Sequence, residues 1–396
     1  MAHNGLEVAD VFRHFGQAFR DQHGASLSPA RRRAMWAIEC CRTAALGGHV
    51  ERCSDCGHQR VSYNSCRNRS CPKCQGLARA QWLADRQAEL LEVPYFHVVF
   101  TVPELIAVVA FQNQTAVYDI LFRAASETLR RIAADPEHLG AAIGFLAVLH
   151  TWGSAMTHHP HLHCLVPGGG IAPDGQSWIP CRSGFFLPVA VLSRMFRGLF
   201  LHYLEKAFAA GELRFFSEHR HLQEPAAFKR YLAPTRDTEW VVYAKRPFAG
   251  PAQVLDYVGR YTHRVAISNN RLVSIDGDRV CFRWKDYRDG SRQKVMSLRG
   301  DEFIRRFLIH VLPDGFHRIR YFGFLGNSHR ARKLALCREL LGMAPAAPAD
   351  PPADYRDRYE ALTGTSLRQC PHCLTGIMVV VGCIDRTRVC QPIPDT

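Results

Sequence analysis

The chain has 396 residues, 47% of them hydrophobic and 22% charged, which suits a folded protein of two or three domains and excludes disorder throughout. Its formal charge of +14 comes chiefly from arginine, whose planar guanidinium forks onto phosphates, so composition points to a polyanionic partner, nucleic acid first. Fifteen cysteines and an N-terminus without the basic, apolar and small-residue segments of a signal peptide predict reduced thiols in a cytoplasmic, nucleoid-associated protein, and no uninterrupted apolar run of about 18 residues is present to span a membrane.

Residues 1–92 hold seven of the cysteines and end in a predicted amphipathic helix, Leu77 to Leu91, so they are expected to form a separate zinc-binding module for DNA recognition. Cys53-x-x-Cys56 and Cys71-x-x-Cys74 are two knuckles, each able to present two thiolates to one ion while the chain turns. Their spacing predicts one tetrahedral Zn2+ on all four, with Cys66, His58 and His49 as alternative ligands. Arg67 and Arg69 lie among these ligands and are expected to contact phosphate, although Glu51 and Asp55 nearby also suit a merely solvated face.

From Pro94 the texture changes to alternating strands and helices, which predicts an α+β catalytic domain over 93–341 with a central antiparallel sheet and helices. Strands are expected at 95–100, 145–152, 161–166, 240–245, 264–274 and 279–284, and helices near 116–134, 187–209 and 301–312. Residues 342–396 read as a Pro/Ala-rich linker and a cysteine-containing tail, in which Cys370-Pro-His-Cys373 could begin a second zinc site completed by Cys383 and Cys390.

The run from Val148 to Val166 reads as a β-hairpin. Residues two apart on a strand share a face, so His161 and His163 point the same way and can ligate one divalent ion. A third ligand must come from elsewhere: His150 on the preceding strand first, His159 second. Gly168-Gly169-Gly170 follows, where backbone could approach a ligand closely. After Pro251, Tyr257 and Tyr261 have i,i+4 spacing on a predicted helix, which stacks both hydroxyls on one face, with Arg260, His263 and Arg264 beside them. Lys285 and Arg288 fall in a basic and aromatic cluster of the kind that binds single strands. Each pattern also has a structural alternative, a packed strand histidine or a tyrosine pair seating a helix.

These motifs, in this order, resemble the rolling-circle transposases of the insertion sequence 91 family, within the HUH endonuclease group. The resemblance rests on Cys41 to His49, on Asn64-Ser-Cys-Arg-Asn-Arg-Ser-Cys-Pro-Lys-Cys74, and on Tyr95-Phe-His-Val-Val-Phe-Thr-Val-Pro103. It continues through Leu149-His-Thr-Trp-Gly153, His159-Pro-His-Leu-His163, Tyr257 to Asn269 and Lys285-Asp-Tyr-Arg288. It implies an N-terminal zinc domain, a catalytic Mg2+ or Mn2+ on His161 and His163, and Tyr257 and Tyr261 as paired nucleophiles that nick and transfer single-stranded DNA through 5′-phosphotyrosine links. The partners implied are single-stranded DNA at the element's ends and a target DNA, with a host helicase and replication machinery to unwind. Two rivals stand beside it. One is a catalytically inactive zinc-dependent DNA-binding protein; the other is a histidine-triad nucleotide hydrolase, which the His159-Pro-His161-Leu-His163 pattern also fits but which needs neither knuckles nor tyrosines.

Overall fold

The chain opens with two helices, α1 (Val8–His23) and α2 (Pro29–Cys40). Glu7 and Asp10 cap the first reciprocally, and Ser28 with Pro29 starts the second by accepting a hydrogen bond from the Arg31 amide, so orphan donors are satisfied where each helix begins. A hairpin of β1 (Gly48–Cys53) and β2 (Gln59–Tyr63) follows, then α3 (Pro72–Gln87). The fold is described from a computed structural model for residues 5–87, 89–184, 186–245, 254, 259, 265–287, 289–345 and 354–387.

The central sheet has five strands, β3 (Tyr95–Thr101), β4 (Gly144–Trp152), β5 (His158–Pro167), β8 (Val242–Lys245) and β12 (Ile319–Gly323). Their order is β12-β4-β5-β3-β8, antiparallel at every neighbouring pair, as expected for the catalytic domain. Phe96, Val98, Phe100, Phe145, Ala147, Leu149, Leu162, Cys164 and Val166 share one face. They pack into the main core with α4 (Glu104–Gln112), α5 (Gln114–Ala134), α6 (Val189–Ala209) and α7 (Pro225–Asp237). Burying side chains of this size is worth roughly 1.5–3 kcal/mol each, and it fixes the register, since a one-residue slip would turn every histidine of β5 that faces away from this core into it.

Close packing accounts for the Gly168–Gly170 run. It leads into the small hairpin of β6 (Gly169–Ile171) and β7 (Trp178–Pro180), where a Cβ on Gly169 would meet Trp178 and one on Gly170 would meet the Ala142 carbonyl. The strand expected over 264–274 is shorter. Residues Asn269–Arg271 form a 3-10 turn, and the sheet starts only at β9 (Leu272–Asp276), followed by β10 (Arg279–Asp286) and β11 (Arg292–Arg299). Helix α8 (Gly300–Leu308) closes on this second sheet and carries Phe303, Ile304, Phe307 and Leu308 on its buried face.

The first 92 residues share a core with elements that follow much later in the chain. Phe12, Phe19, Met35 and Ile38 of α1 and α2 share one core with Phe282 of β10 and with Phe303 and Phe307 of α8, and Phe12 meets Phe307 edge-on at 5.2 Å. The tail is likewise not a loose appendage. After α9 (Arg330–Leu340), most of the Pro/Ala segment lies outside the described residues, but α10 (Tyr355–Thr363) and β13 (Met378–Ile384) follow. β13 adds to the outer edge of β1, making a three-stranded antiparallel sheet β13-β1-β2. No helix among the described residues is long and apolar enough to cross a membrane.

Two histidines, the half-buried His158 and the buried His310, tie β4, β5 and the following turn to the helices. His158 lies 2.8 Å from the Tyr118 hydroxyl and 3.1 Å from the Ala107 carbonyl, and His310 lies 3.1 Å from both Thr151 Oγ1 and the Met156 carbonyl. Burial pushes His158 down to about 4 and His310 down to about 3, so both fold as neutral rings. Below an unfolded pKa of about 6.5 the unfolded chain takes up protons that the folded one refuses, so stability present at neutral pH is lost as pH falls from there toward 3. Denaturant melts at pH 7 and pH 5 should show a loss on the order of 1–2 kcal/mol per histidine. His310→Gln, which hydrogen-bonds but takes up no proton, should flatten that slope; an unchanged slope would contradict the assignment.

Candidate metal centre and cysteine clusters

The β4–β5 register sets His150 directly opposite His161 and Val148 opposite His163. All three imidazoles therefore stand on the face of the sheet that is turned away from the main core, and their ligand nitrogens lie within 4.8 Å of one another. His150 is buried and its ring stacks on Trp152 at 4.7 Å, which holds its plane. His161 Nδ1 lies 2.7 Å from the His159 carbonyl, so Nδ1 carries the proton and Nε2 is left with its lone pair for a metal. His158 and His159 are not part of the triad; His158 makes the structural contacts given above.

Sequence reasoning missed His97. It sits buried on β3, with its Nε2 2.8 Å from His163 Nδ1 and its ring parallel to that of His163 at 5.0 Å. A His163 that ligates through Nε2 must donate its Nδ1 proton, and His97 Nε2 is the acceptor in place. The available signal was alternation. Phe96, Val98 and Phe100 face the core, which puts Tyr95, His97 and Val99 on the other side with the triad. Removing such an orienting partner costs metal affinity about 10- to 100-fold, so His97→Phe should weaken Mn2+ binding by that factor in calorimetric titration while leaving the fold intact. An unchanged affinity would make His97 a packing residue only.

Two residues that flank Tyr257 in sequence, Val254 and Gly259, are described. Tyr257, Tyr261, Arg260, His263, Arg264 and Arg288 lie outside the described residues, but Val254 and Gly259 are helical. Val254 is fully buried among Tyr95, Leu146, Val148 and Leu165, which alternate with the core-facing residues along their strands and so share the histidine face. A Cβ on Gly259 would collide with Leu83 and Arg79 of α3, so close approach of α3 accounts for the glycine.

The four knuckle cysteines do not form one site. Cys71 and Cys74 meet Cys41 and Cys66, with Sγ separations of 3.6 Å for Cys41–Cys74 and 3.5 Å for Cys66–Cys74. Cys53 and Cys56 sit instead with Cys370 and Cys373. The physical reason is the β1–β2 hairpin, whose tip carries the first knuckle away from α3, where the second knuckle starts the helix. Cys383 is exposed on β13 outside either cluster, and Cys390 lies outside the described residues, so the tail pair is not completed by them. No described cysteine is in a disulfide. Hydrogen bonds from the Thr375 hydroxyl and the Gly376 amide hold the Cys373 thiol down to about 5.

Of the arginines chosen as phosphate contacts, Arg67 remains a candidate and Arg69 is not available. The Arg69 guanidinium donates to the carbonyls of Phe316, Leu312 and Pro313 at 2.7, 2.9 and 2.6 Å, which pins the zinc module to the turn before β12. A guanidinium so engaged is withdrawn from the DNA-contact set. Lys285 is exposed near the end of β10, its ammonium 5.4 Å from the ring centre of Tyr287.

A family model described as "Transposase zinc-binding domain" matches residues 11–102, and one described as "Putative transposase" matches residues 144–333. A curated relative named "Putative transposase y4qJ", from Sinorhizobium fredii, is 68% identical over 387 residues, 97% of each chain. The chain belongs to the insertion sequence 91 family of transposases. The "Transposase for insertion sequence element IS801" of Pseudomonas savastanoi pv. phaseolicola is 28% identical to this transposase, covering 78% of it and 73% of the relative. Among solved structures, a conjugative relaxase TrwC in complex with oriT DNA matches 63% of this transposase and 72% of its own chain at 14% identity, with a TM-score of 0.23. The zinc-binding model spans Cys41, Cys66, Cys71 and Cys74. Their separations fit a tetrahedral ion, since a Zn–S bond of about 2.3 Å sets sulfurs about 3.8 Å apart.

Proposed function

We propose that this transposase nicks single-stranded DNA at its element's ends and transfers the strand through covalent links to Tyr257 and Tyr261. The reading is carried by one observation: three imidazoles converge on the face of the central sheet onto which Val254 also packs, and Val254 belongs to the segment that bears both tyrosines. His150, His161 and His163 would hold the divalent cation, and His97 would orient His163. Such an ion, when bound, supplies Lewis-acid polarisation of the scissile phosphate and offsets charge developing on its oxygens. A donor set of nitrogens alone suits Mn2+ better than Mg2+, which prefers oxygen.

One phenol attacks phosphorus. The tyrosyl O–P bond forms, the bond from phosphorus to the 3′-oxygen breaks, and the phenolic proton ends on the departing 3′-hydroxyl. A phenol has a pKa of about 10, so neighbouring positive charge is needed to favour the attacking phenolate, and Arg260, His263 and Arg264 are its sequence neighbours. The second tyrosine cleaves another strand, and the free 3′-hydroxyl resolves that link by the reverse reaction, which joins the strands. Arg67 on the cysteine module, Lys285 and Tyr287 at the end of β10, and Arg288, next in the sequence, would hold the unpaired strand by phosphate contact and base stacking. Unwinding would fall to host helicases, in the bacterial cytoplasm. The test is incubation with single-stranded oligonucleotides from the element's ends and Mn2+, followed by denaturing electrophoresis. A protein–DNA adduct that survives denaturation is expected; its absence with every end sequence and either metal would overturn the reading.

A further inference from the structure

We propose that Cys53, Cys56, Cys370 and Cys373 hold a second structural Zn2+, separate from that on Cys41, Cys66, Cys71 and Cys74, and that this ion closes a zinc ribbon whose two knuckles lie more than 300 residues apart. The separation between Cys56 and Cys370 is 314 positions. The sulfurs of Cys53 and Cys373 are 3.6 Å apart and those of Cys56 and Cys370 3.7 Å, and all four lie within 4.8 Å of one another. Those values match the edge of a tetrahedron with Zn–S bonds of about 2.3 Å and are far beyond a disulfide of about 2.05 Å.

The two knuckles are built alike. Backbone amides of Asp55 and Cys56 point at Cys53 Sγ at 3.4 and 3.5 Å, and the His372 amide points at Cys370 Sγ at 3.4 Å. The His58 and His372 rings stack across the pair at 5.4 Å. Gly376 leaves room for the approach, because a Cβ there would run into Cys53 Sγ. Around the cluster, β13 pairs with β1 from Gly48 opposite Ile384 to Cys53 opposite Met378. Beside it the buried carboxylate of Glu51 takes ion pairs from Arg60 at 2.7 Å and from Arg356 of α10 at 3.1 Å, while Arg60 also donates to the Leu367 carbonyl.

Among the described residues this corner holds little apolar mass. Its core consists of Cys53, Cys370 and Met378 with Cys373 against it, too little burial to hold a three-stranded sheet. Small folds of that kind draw their stability from the metal, whose binding free energy is folding free energy. Four thiolates in tetrahedral array select zinc among the common divalent ions.

The test is metal counting on the full chain after extensive dialysis, in a His161→Ala background so that zinc on the imidazoles is not counted. Two zinc ions per chain are expected, falling to one in the Cys370→Ser, Cys373→Ser variant, to one in the Cys41→Ser, Cys66→Ser variant and to none when the two pairs are combined. Two ions retained in the Cys370→Ser, Cys373→Ser variant, or iron in place of zinc, would overturn the proposal. Should that variant aggregate, timed alkylation of the zinc-loaded parent decides the matter. Cys53, Cys56, Cys370 and Cys373 should be protected together and become reactive together on chelation; rapid labelling of Cys370 and Cys373 while Cys53 and Cys56 stay protected sinks the shared site.

Discussion

Phenylalanine at both Tyr257 and Tyr261 is expected to abolish the denaturation-resistant DNA adduct altogether. The substitution removes the two oxygens proposed to bond to phosphorus and keeps the aromatic rings, so the expected loss is of chemistry and not of fold. Each single variant has a distinct signature. With only the first-acting phenol left, the first strand is still cut and linked but the second cleavage has no nucleophile, so adduct persists while joined product falls; with only the other phenol left, the first cut itself is lost. Which single variant retains the first cut identifies the tyrosine that acts first. An adduct undiminished in the double variant places the nucleophile elsewhere, and mapping the linked peptide would then find it.

Alanine at His161 or His163 should be nearly as damaging. Either change takes one of three nitrogens from the proposed ion and leaves a gap on the sheet's histidine face, where water replaces the ligand. If the ion contributes about 4 kcal/mol to the transition state, at about 1.4 kcal/mol per decade the cleavage rate falls about a thousandfold. Binding of the oligonucleotide should change little, because phosphate contacts by basic side chains supply most of that affinity. Cleavage within a factor of about ten of the parent at saturating Mn2+ would remove the histidines from the reaction. His150→Ala should follow the same pattern, since its ring closes the triad from β4.

The triad was legible because a strand has period two. His161 and His163 had to share a face, and hairpin pairing offered His150 as the third imidazole. His97 was not legible by proximity, being an isolated histidine in an apolar run, although alternation along β3 carried the information. The central sheet and its covering helices followed from the same alternation and from runs too apolar for solvent.

Cysteine pairing is a different problem. A Cys-x-x-Cys spacing says that two thiols can share an ion, and nothing about which other pair completes it. Cys41 and Cys66 have no knuckle spacing, and Cys370 and Cys373 come after the whole catalytic body, so joining Cys53–Cys56 to Cys71–Cys74 was the natural reading and the wrong one. Arg69 illustrates a similar limit. Its composition and setting suggested phosphate, but an arginine that finds three backbone carbonyls is satisfied internally, and only the fold supplies those carbonyls. What the first 92 residues pack against was not legible either, because α1 and α2 bury their apolar faces against β10 and α8, partners that no local pattern names.

The addition of β13 to β1 also bears on how the chain is made. At roughly 5–20 residues per second, a ribosome delivers residue 384 tens of seconds after residue 48, so the outer edge of β1 emerges without the strand that will cover it. An uncovered edge is a template for pairing with other chains. Newly synthesised copies are therefore exposed to aggregation for longer than a locally closed finger would be, and the final docking of the sheet is a late, high-contact-order event.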